Sequence, residues 1–103
     1  MTRIAAYVPD LMDRSKVAGA APRATFVSSP ADLTAAAAAG ADLVVVDLSR
    51  PGVLDALAQL GAVRTIGFGS HLDRELLAAA AAAGCDEVLP RSKFFAALQE
   101  LLA

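Results

Sequence analysis

The sequence is poor in the residues and motifs from which most catalytic sites are built. It has one cysteine, one histidine and one tyrosine in 103 residues. The lone Cys85 excludes an internal disulfide and fits a reducing compartment. His71 has only scattered acids for company, which gives no metal-ligand spacing. Neither GxGxxG nor GxxxxGK(S/T) occurs, and Gly67-Phe68-Gly69-Ser70 is too short to wrap a phosphate, so no nucleotide cofactor is expected. Ser70, His71 and Asp47 invite a nucleophilic triad, but no glycine-framed elbow surrounds Ser70 and its base would be its immediate neighbour. There is no basic stretch. Nine Lys and Arg face eleven Asp and Glu, for a net charge of −2, which argues against a nucleic-acid partner. No uninterrupted apolar run approaches the ~20 residues of a membrane span. The first ten residues, MTRIAAYVPD, meet an acid too early for a secretory signal. The expectation is a soluble cytoplasmic protein that binds neither nucleic acid nor membrane.

Alanine and short β-branched runs are what the chain has in quantity. With 56% hydrophobic and 19% charged residues, little is left for a disordered tail, and a single domain over residues 1–103 is expected. The apolar segments Ile4–Val8, Thr25–Val27, Leu43–Leu48, Val63–Phe68 and Val88-Leu89 read as strands. Helical stretches lie between and after them. Asp10 with Asp13 has capping-box spacing ahead of a stretch through Ala20. Ser29-Pro30 with Asp32 starts a helix that stops at Gly40. Pro51–Leu60 forms a short helix closed by Gly61. Ser70 with Asp73 repeats the cap-and-acid pattern before a helix to Gly84. Ser92 is placed to cap a last helix carrying Phe94, Phe95, Leu98, Leu101 and Leu102 at helical spacing. Gly40-Ala41-Asp42 and Gly84-Cys85-Asp86 repeat one phrase at two helix-to-strand turns, a structural repeat. Five β-α units with short connections make an α/β fold: a parallel sheet with helices on both faces.

One residue does not fit a buried strand. In LVVVDLSRP, Leu43 to Pro51, the run with three valines has the character of a central parallel strand, yet it ends on Asp47. An ionised carboxylate is costly to bury unpaired, so Asp47 is expected at the crevice where open α/β sheets gather ligands. The structural alternative is that Asp47 caps the next turn, with Ser49 as a competitor for that role.

The element order, the position of Asp47 and the segment GCDEVLPRSKF resemble the receiver domains of two-component response regulators. The resemblance spans nearly the whole chain and is strongest in LVVVDLSRP and Ala82 to Leu89. It implies a doubly wound, flavodoxin-like (βα)5 sheet of order 2-1-3-4-5. It implies that Asp47 accepts a phosphoryl group from a histidine kinase. Acids after the first strand would hold Mg²⁺. A hydroxyl after the fourth strand and a lysine after the fifth would contact the phosphoryl oxygens. Carried over by position, the acidic pair falls on Val8 and Pro9, with Asp10 just beyond. A metal would therefore rest on Asp10 and Asp47. Ser70 takes the hydroxyl position. Arg91 takes the lysine position, keeping the charge but not the shape. The resemblance also implies a partner-binding face on the last helix, to which Phe94, Phe95 and Leu98 would contribute, for a signalling protein or for a second copy in a homodimer.

These departures carry weight, because losing one positioned electrostatic partner typically costs ~3–4 kcal/mol of transition-state stabilisation. They favour a degenerate, pseudo-receiver module working mainly through protein–protein interaction, without turnover chemistry of its own, over a conventional Mg²⁺-dependent phospho-acceptor. A small α/β ligand-binding protein or enzyme of the same topology is the third reading.

Overall fold

Every residue of Leu43–Asp47 is buried, as the continuous apolar run demands. The computed structural model describes residues 2–103. Leu43–Asp47 is β3, and it lies between β1 (Ile4–Tyr7) and β4 (Arg64–Gly69), with Leu43 opposite both Ile4 and Arg64. Outside these lie β2 (Thr25–Phe26) on β1 and β5 (Glu87–Pro90) on β4. All pairings are parallel, and the order is β2-β1-β3-β4-β5, as the resemblance to receiver domains implies. The helices are α1 (Leu11–Ala20), α2 (Pro30–Ala38), α3 (Val53–Leu57), α4 (Arg74–Ala82), α5 (Arg91–Ala96) and α6 (Leu98–Leu102).

The period of two along a strand sorts side chains into two layers. Leu43 and Val45 join Ile66, Phe68, Val17, Phe94, Leu98 and Leu102 on the face covered by α1, α5 and α6. Val44, Val46 and Leu48 join Leu33, Val53, Leu57 and Ala80 on the face covered by α2, α3 and α4. By the same alternation Asp47 follows Leu43 and Val45, toward α1 and α5.

The repeated Gly-x-Asp phrase is a complete joint. Gly40 and Gly84 adopt φ of 104° and 106°, left-handed values that an L side chain resists. Each closes its helix in a Schellman pattern: Ala41 N–H donates to the Ala36 carbonyl and Cys85 N–H to that of Ala80, both at 3.1 Å. The following aspartate then pins the neighbouring strand. Asp42 accepts from Arg3 N–H at 2.8 Å, and Asp86 accepts from Thr65 N–H at 2.7 Å. The phrase thus ends a helix and sets a strand's register in three residues.

Several element boundaries differ from the sequence expectation. Helix α3 begins at Val53, because Gly52 has φ of 82° and breaks the chain's approach. Helix α4 is capped by Asp73, whose carboxylate accepts from Leu76 N–H; Ser70 instead makes its own turn, accepting from Leu72 N–H at 3.2 Å. Ser92 lies inside α5, whose cap position is Pro90. The last helix is interrupted at Ala97 (φ −104°, ψ 14°). Phe94, Leu98 and Leu102 are all buried against the sheet. On an unbroken helix, positions four apart drift by about 40° per step, and the interruption keeps all three on the core. Phe94 and Leu98 are therefore core residues, which corrects the expectation that they contribute to an interaction face. Phe95 is half-buried and packs on the same core.

Cys85 is buried, with its thiol directed at the carbonyls of Glu87 and Thr65. Burial pushes its pKa up to about 11. The protonated thiol therefore persists well above neutral pH, and native protein at pH 8 is expected to react with a disulfide reagent roughly a hundredfold more slowly than an unperturbed cysteine. Rapid native-state labelling would contradict the burial. Gly67 lies on the same face as Leu48, and a Cβ there would sit 2.7 Å from Leu48 Cδ2 and 2.9 Å from its Cγ. Since Leu48 is itself buried, Gly67→Ala is expected to lower unfolding stability by about 1–3 kcal/mol through overpacking, measured by urea denaturation.

Candidate functional site

Asp47 ends β3 and is only 3% exposed. The expected solvent-reachable notch is therefore closed around it. Its carboxylate is satisfied locally. Oδ1 accepts from Ser49 N–H at 3.0 Å and from the Ser49 hydroxyl at 2.7 Å, while Oδ2 faces Arg50 Nε at 3.4 Å. This is an Asx turn completed by an ion pair, and it explains how an acid can end a buried strand: each oxygen exchanges water for a positioned donor.

A second buried acid lies nearby in the fold. Asp13, in the first turn of α1, is also 3% exposed. Both its oxygens are taken by Arg91, with Nη1 donating to Oδ2 at 2.8 Å and Nη2 to Oδ1 at 2.6 Å. The paired fork matches the guanidinium to the carboxylate, a geometry a lysine lacks. Arg91 also lies over Phe68 and Phe95, 5.6 and 5.2 Å from their ring centroids. Those rings form a cluster with Phe94, with Phe68 and Phe94 stacked at 4.5 Å and Phe95 edge-on to both. The hydrogen bonds that Arg91 donates to Asp13 raise the Arg91 pKa further, and the charges of Asp13, Asp47 and Asp10 add to the effect. Three carboxylates thus act on one guanidinium.

Asp10 is exposed and caps α1, accepting from Met12 N–H and Asp13 N–H at 3.0 Å each. The bond from Asp13 N–H is the largest cause of its lowered pKa; Arg50 and Arg91 contribute at longer range. The capping-box spacing is real, but the Asp13 side chain turns inward to Arg91 instead of reaching back. Ser70 is exposed beyond the end of β4, its hydroxyl oxygen engaged by Leu72 N–H. His71 beside it is exposed.

The acids do not fit a divalent cation. Among the described residues no three His, Cys, Asp or Glu side chains are gathered to hold a metal ion. Asp13 is occupied on both oxygens, Asp47 carries donors on both, and Asp10 caps a helix. Mg²⁺ demands near-ideal octahedral geometry and releases its waters reluctantly, so it has no ready-made place among groups committed in this way.

Sequence reasoning named Asp47, Asp10 and Arg91, and the fold brings them into one electrostatic group. It missed Asp13 and Arg50. The signal for Asp13 was present: it stands four residues before Val17, which puts both on the inner face of α1, and both are buried. Arg50, three residues after Asp47, was within reach of it along a tight turn. An open cleft of about 490 Å³ runs between the starts of α3 and α4, lined by Ser49, Arg50, Leu54, Asp55 and Leu76 among others. Asp47 is not part of its lining. Among the described residues, the large apolar side chains left exposed are Leu11, Met12 and Leu72, at 78%, 73% and 82%. All three follow the carboxyl ends of β1 and β4.

No protein-family model matches the chain, and no curated protein matches it. Solved structures do. A response regulator from Hahella chejuensis superimposes with a TM-score of 0.82 over 99% of this chain and 92% of its own, at 14% identity. A putative CpaE2 pilus assembly protein from Sinorhizobium meliloti 1021 gives 0.63 over 94% and 97%, at 23% identity. A CheY-like response regulator protein from Mesorhizobium loti gives 0.62 over 99% and 98%, at 17% identity. The chain has the receiver fold.

The two partners of the Asp13–Arg91 pair are unequally exposed, with side chains at 4% and 46%. Removing either one should therefore have unequal effects. Arg91→Ala strands a buried carboxylate and is expected to cost about 3 kcal/mol, the lower end for a broken buried pair. Asp13→Ala leaves a guanidinium that water can solvate, and is expected to cost about 1 kcal/mol. Equal losses in urea denaturation would contradict this account of the pair.

Proposed function

We propose that the chain is a single receiver-like signalling domain, a pseudo-receiver, that passes its signal by contact with another protein and not by accepting a phosphoryl group on Asp47. The observation that carries this reading is the condition of the acceptor position. Asp47 is buried, and Ser49 and Arg50 already supply its hydrogen bonds. Phosphoryl transfer needs an attacking oxygen in line and cations or donors that offset the negative charge of the equatorial oxygens. The arginine at the family's lysine position, Arg91, is instead engaged with Asp13. Ser70, at the family's hydroxyl position, turns back on its own loop.

The fold supports the signalling part of the reading, since two of the similar structures are response regulators by description. In open α/β sheets function gathers at the carboxyl ends of the strands. There Leu11, Met12 and Leu72 expose large apolar side chains, the kind of surface that protein contacts cover. The partner on this reading is a histidine kinase or another signalling protein of a cytoplasmic two-component phosphorelay, or a second copy of the chain.

Two measurements test it. Incubation with acetyl phosphate and Mg²⁺, followed by intact mass, is expected to show no phosphoryl adduct. An adduct that disappears in Asp47→Asn would overturn the reading in favour of a conventional phospho-acceptor. Replacing Leu11, Met12 and Leu72 together by serine is expected to weaken association with the signalling partner, or self-association, while leaving thermal stability nearly unchanged. Unaltered association would move the contact surface elsewhere.

A further inference from the structure

We infer that Arg91 is the resident cation of this site: its guanidinium does the electrostatic work of a divalent metal ion, and its presence excludes one. The inference concerns the site's own counter-charge and holds whether or not Asp47 takes a phosphoryl group.

Three observations converge on it. The first is the charge balance. Asp10, Asp13 and Asp47 act on Arg91, and Arg50 pairs with Asp47, so three carboxylates meet two guanidiniums and one negative charge remains. A divalent ion added to this set would make it net positive. The second is the occupancy of Asp13. Both of its oxygens are held by the Arg91 fork at 2.8 and 2.6 Å, so a metal would have to displace or share a charge-assisted pair to reach them. The third is the floor of the site. Arg91 rests over Phe68 and Phe95 at 5.6 and 5.2 Å. Aromatic faces suit a planar, weakly hydrated cation. They suit poorly an ion that must keep several waters. The arrangement follows from topology: the aromatic cluster and Arg91 come from the end of β4 and the start of α5, and Asp13 from α1, all on the same side of the sheet.

The experiment is a gain of cation binding on removing the arginine. Wild-type protein is expected to melt at the same temperature in MgCl2 and in NaCl of matched ionic strength, and to leave the water relaxation of Mn²⁺ unchanged. Arg91→Gln, and Arg91→Met, which keeps the stem over the rings, are expected to be less stable. They should regain stability from Mg²⁺ or Mn²⁺ but not from NaCl, with Mn²⁺ affinity rising by at least about tenfold. If either variant is unfolded without divalent salt, recovery of its far-UV circular dichroism by MgCl2 alone supports the inference, and failure to recover overturns it. Mn²⁺ binding by the wild type equal to that of the variants also overturns it. The acetyl phosphate result bears only on Asp47 and leaves this comparison intact.

Discussion

Arg91 stands at the first position of α5 and grips Asp13, 78 residues earlier in the chain, through two short hydrogen bonds. Much of the site's character depends on this one contact. It ties the start of α1 to the start of α5 across the carboxyl end of the sheet. It lays a guanidinium over the Phe68 and Phe95 rings. It also fills the carboxylate that would otherwise be free to meet a metal. Its strength is asymmetric. Water reaches Arg91, so the attraction is screened toward the about 0–1 kcal/mol of surface pairs. Asp13 is sealed, and the pair's value lies mostly in avoiding a buried charge without a partner.

Asp47 solves the same problem by a different route. Its burial follows from strand alternation, since the residue two after Val45 must face the same layer as Val45. The turn that follows then supplies Ser49 and Arg50 within three residues, so the carboxylate is compensated by its own loop. The two buried acids thus take their hydrogen-bond donors from different sources, one from local chain and one from a distant element. Neither is left with unsatisfied side-chain atoms: among the described residues no buried side-chain nitrogen or oxygen lacks a hydrogen-bond partner. With no unmet polar demand, both carboxylates can stay buried at little cost to the fold.

The apolar surface is also redistributed relative to a reading of the helix pattern alone. Phe94, Leu98 and Leu102 share helical spacing with residues of a potential contact face, but the interruption at Ala97 turns all three into the core. Among the described residues, the large exposed apolar side chains are instead Leu11, Met12 and Leu72, beside the strand ends. Sequence patterning could not separate these cases, because a helix with apolar residues on one stripe reads the same whether the stripe meets a sheet or a partner.

The strands, their parallel order and the joints that separate them were legible in the sequence. Each rests on information local to a few residues: the valine run of β3, serine before proline at the start of α2, and the Gly-x-Asp phrase that marks two helix-to-strand turns. The likeness to receiver domains extended this to the order 2-1-3-4-5, which the fold has. Tertiary structure decided which charges distant in the chain meet. Whether Asp47 stands open or closed, and whether Arg91 points to a ligand or to Asp13, depends on how α1 and α5 lie over the same face of the sheet. Electrostatic pairing at hydrogen-bond distance is a property of three-dimensional proximity, and no spacing along the chain encodes a contact between residues 78 positions apart.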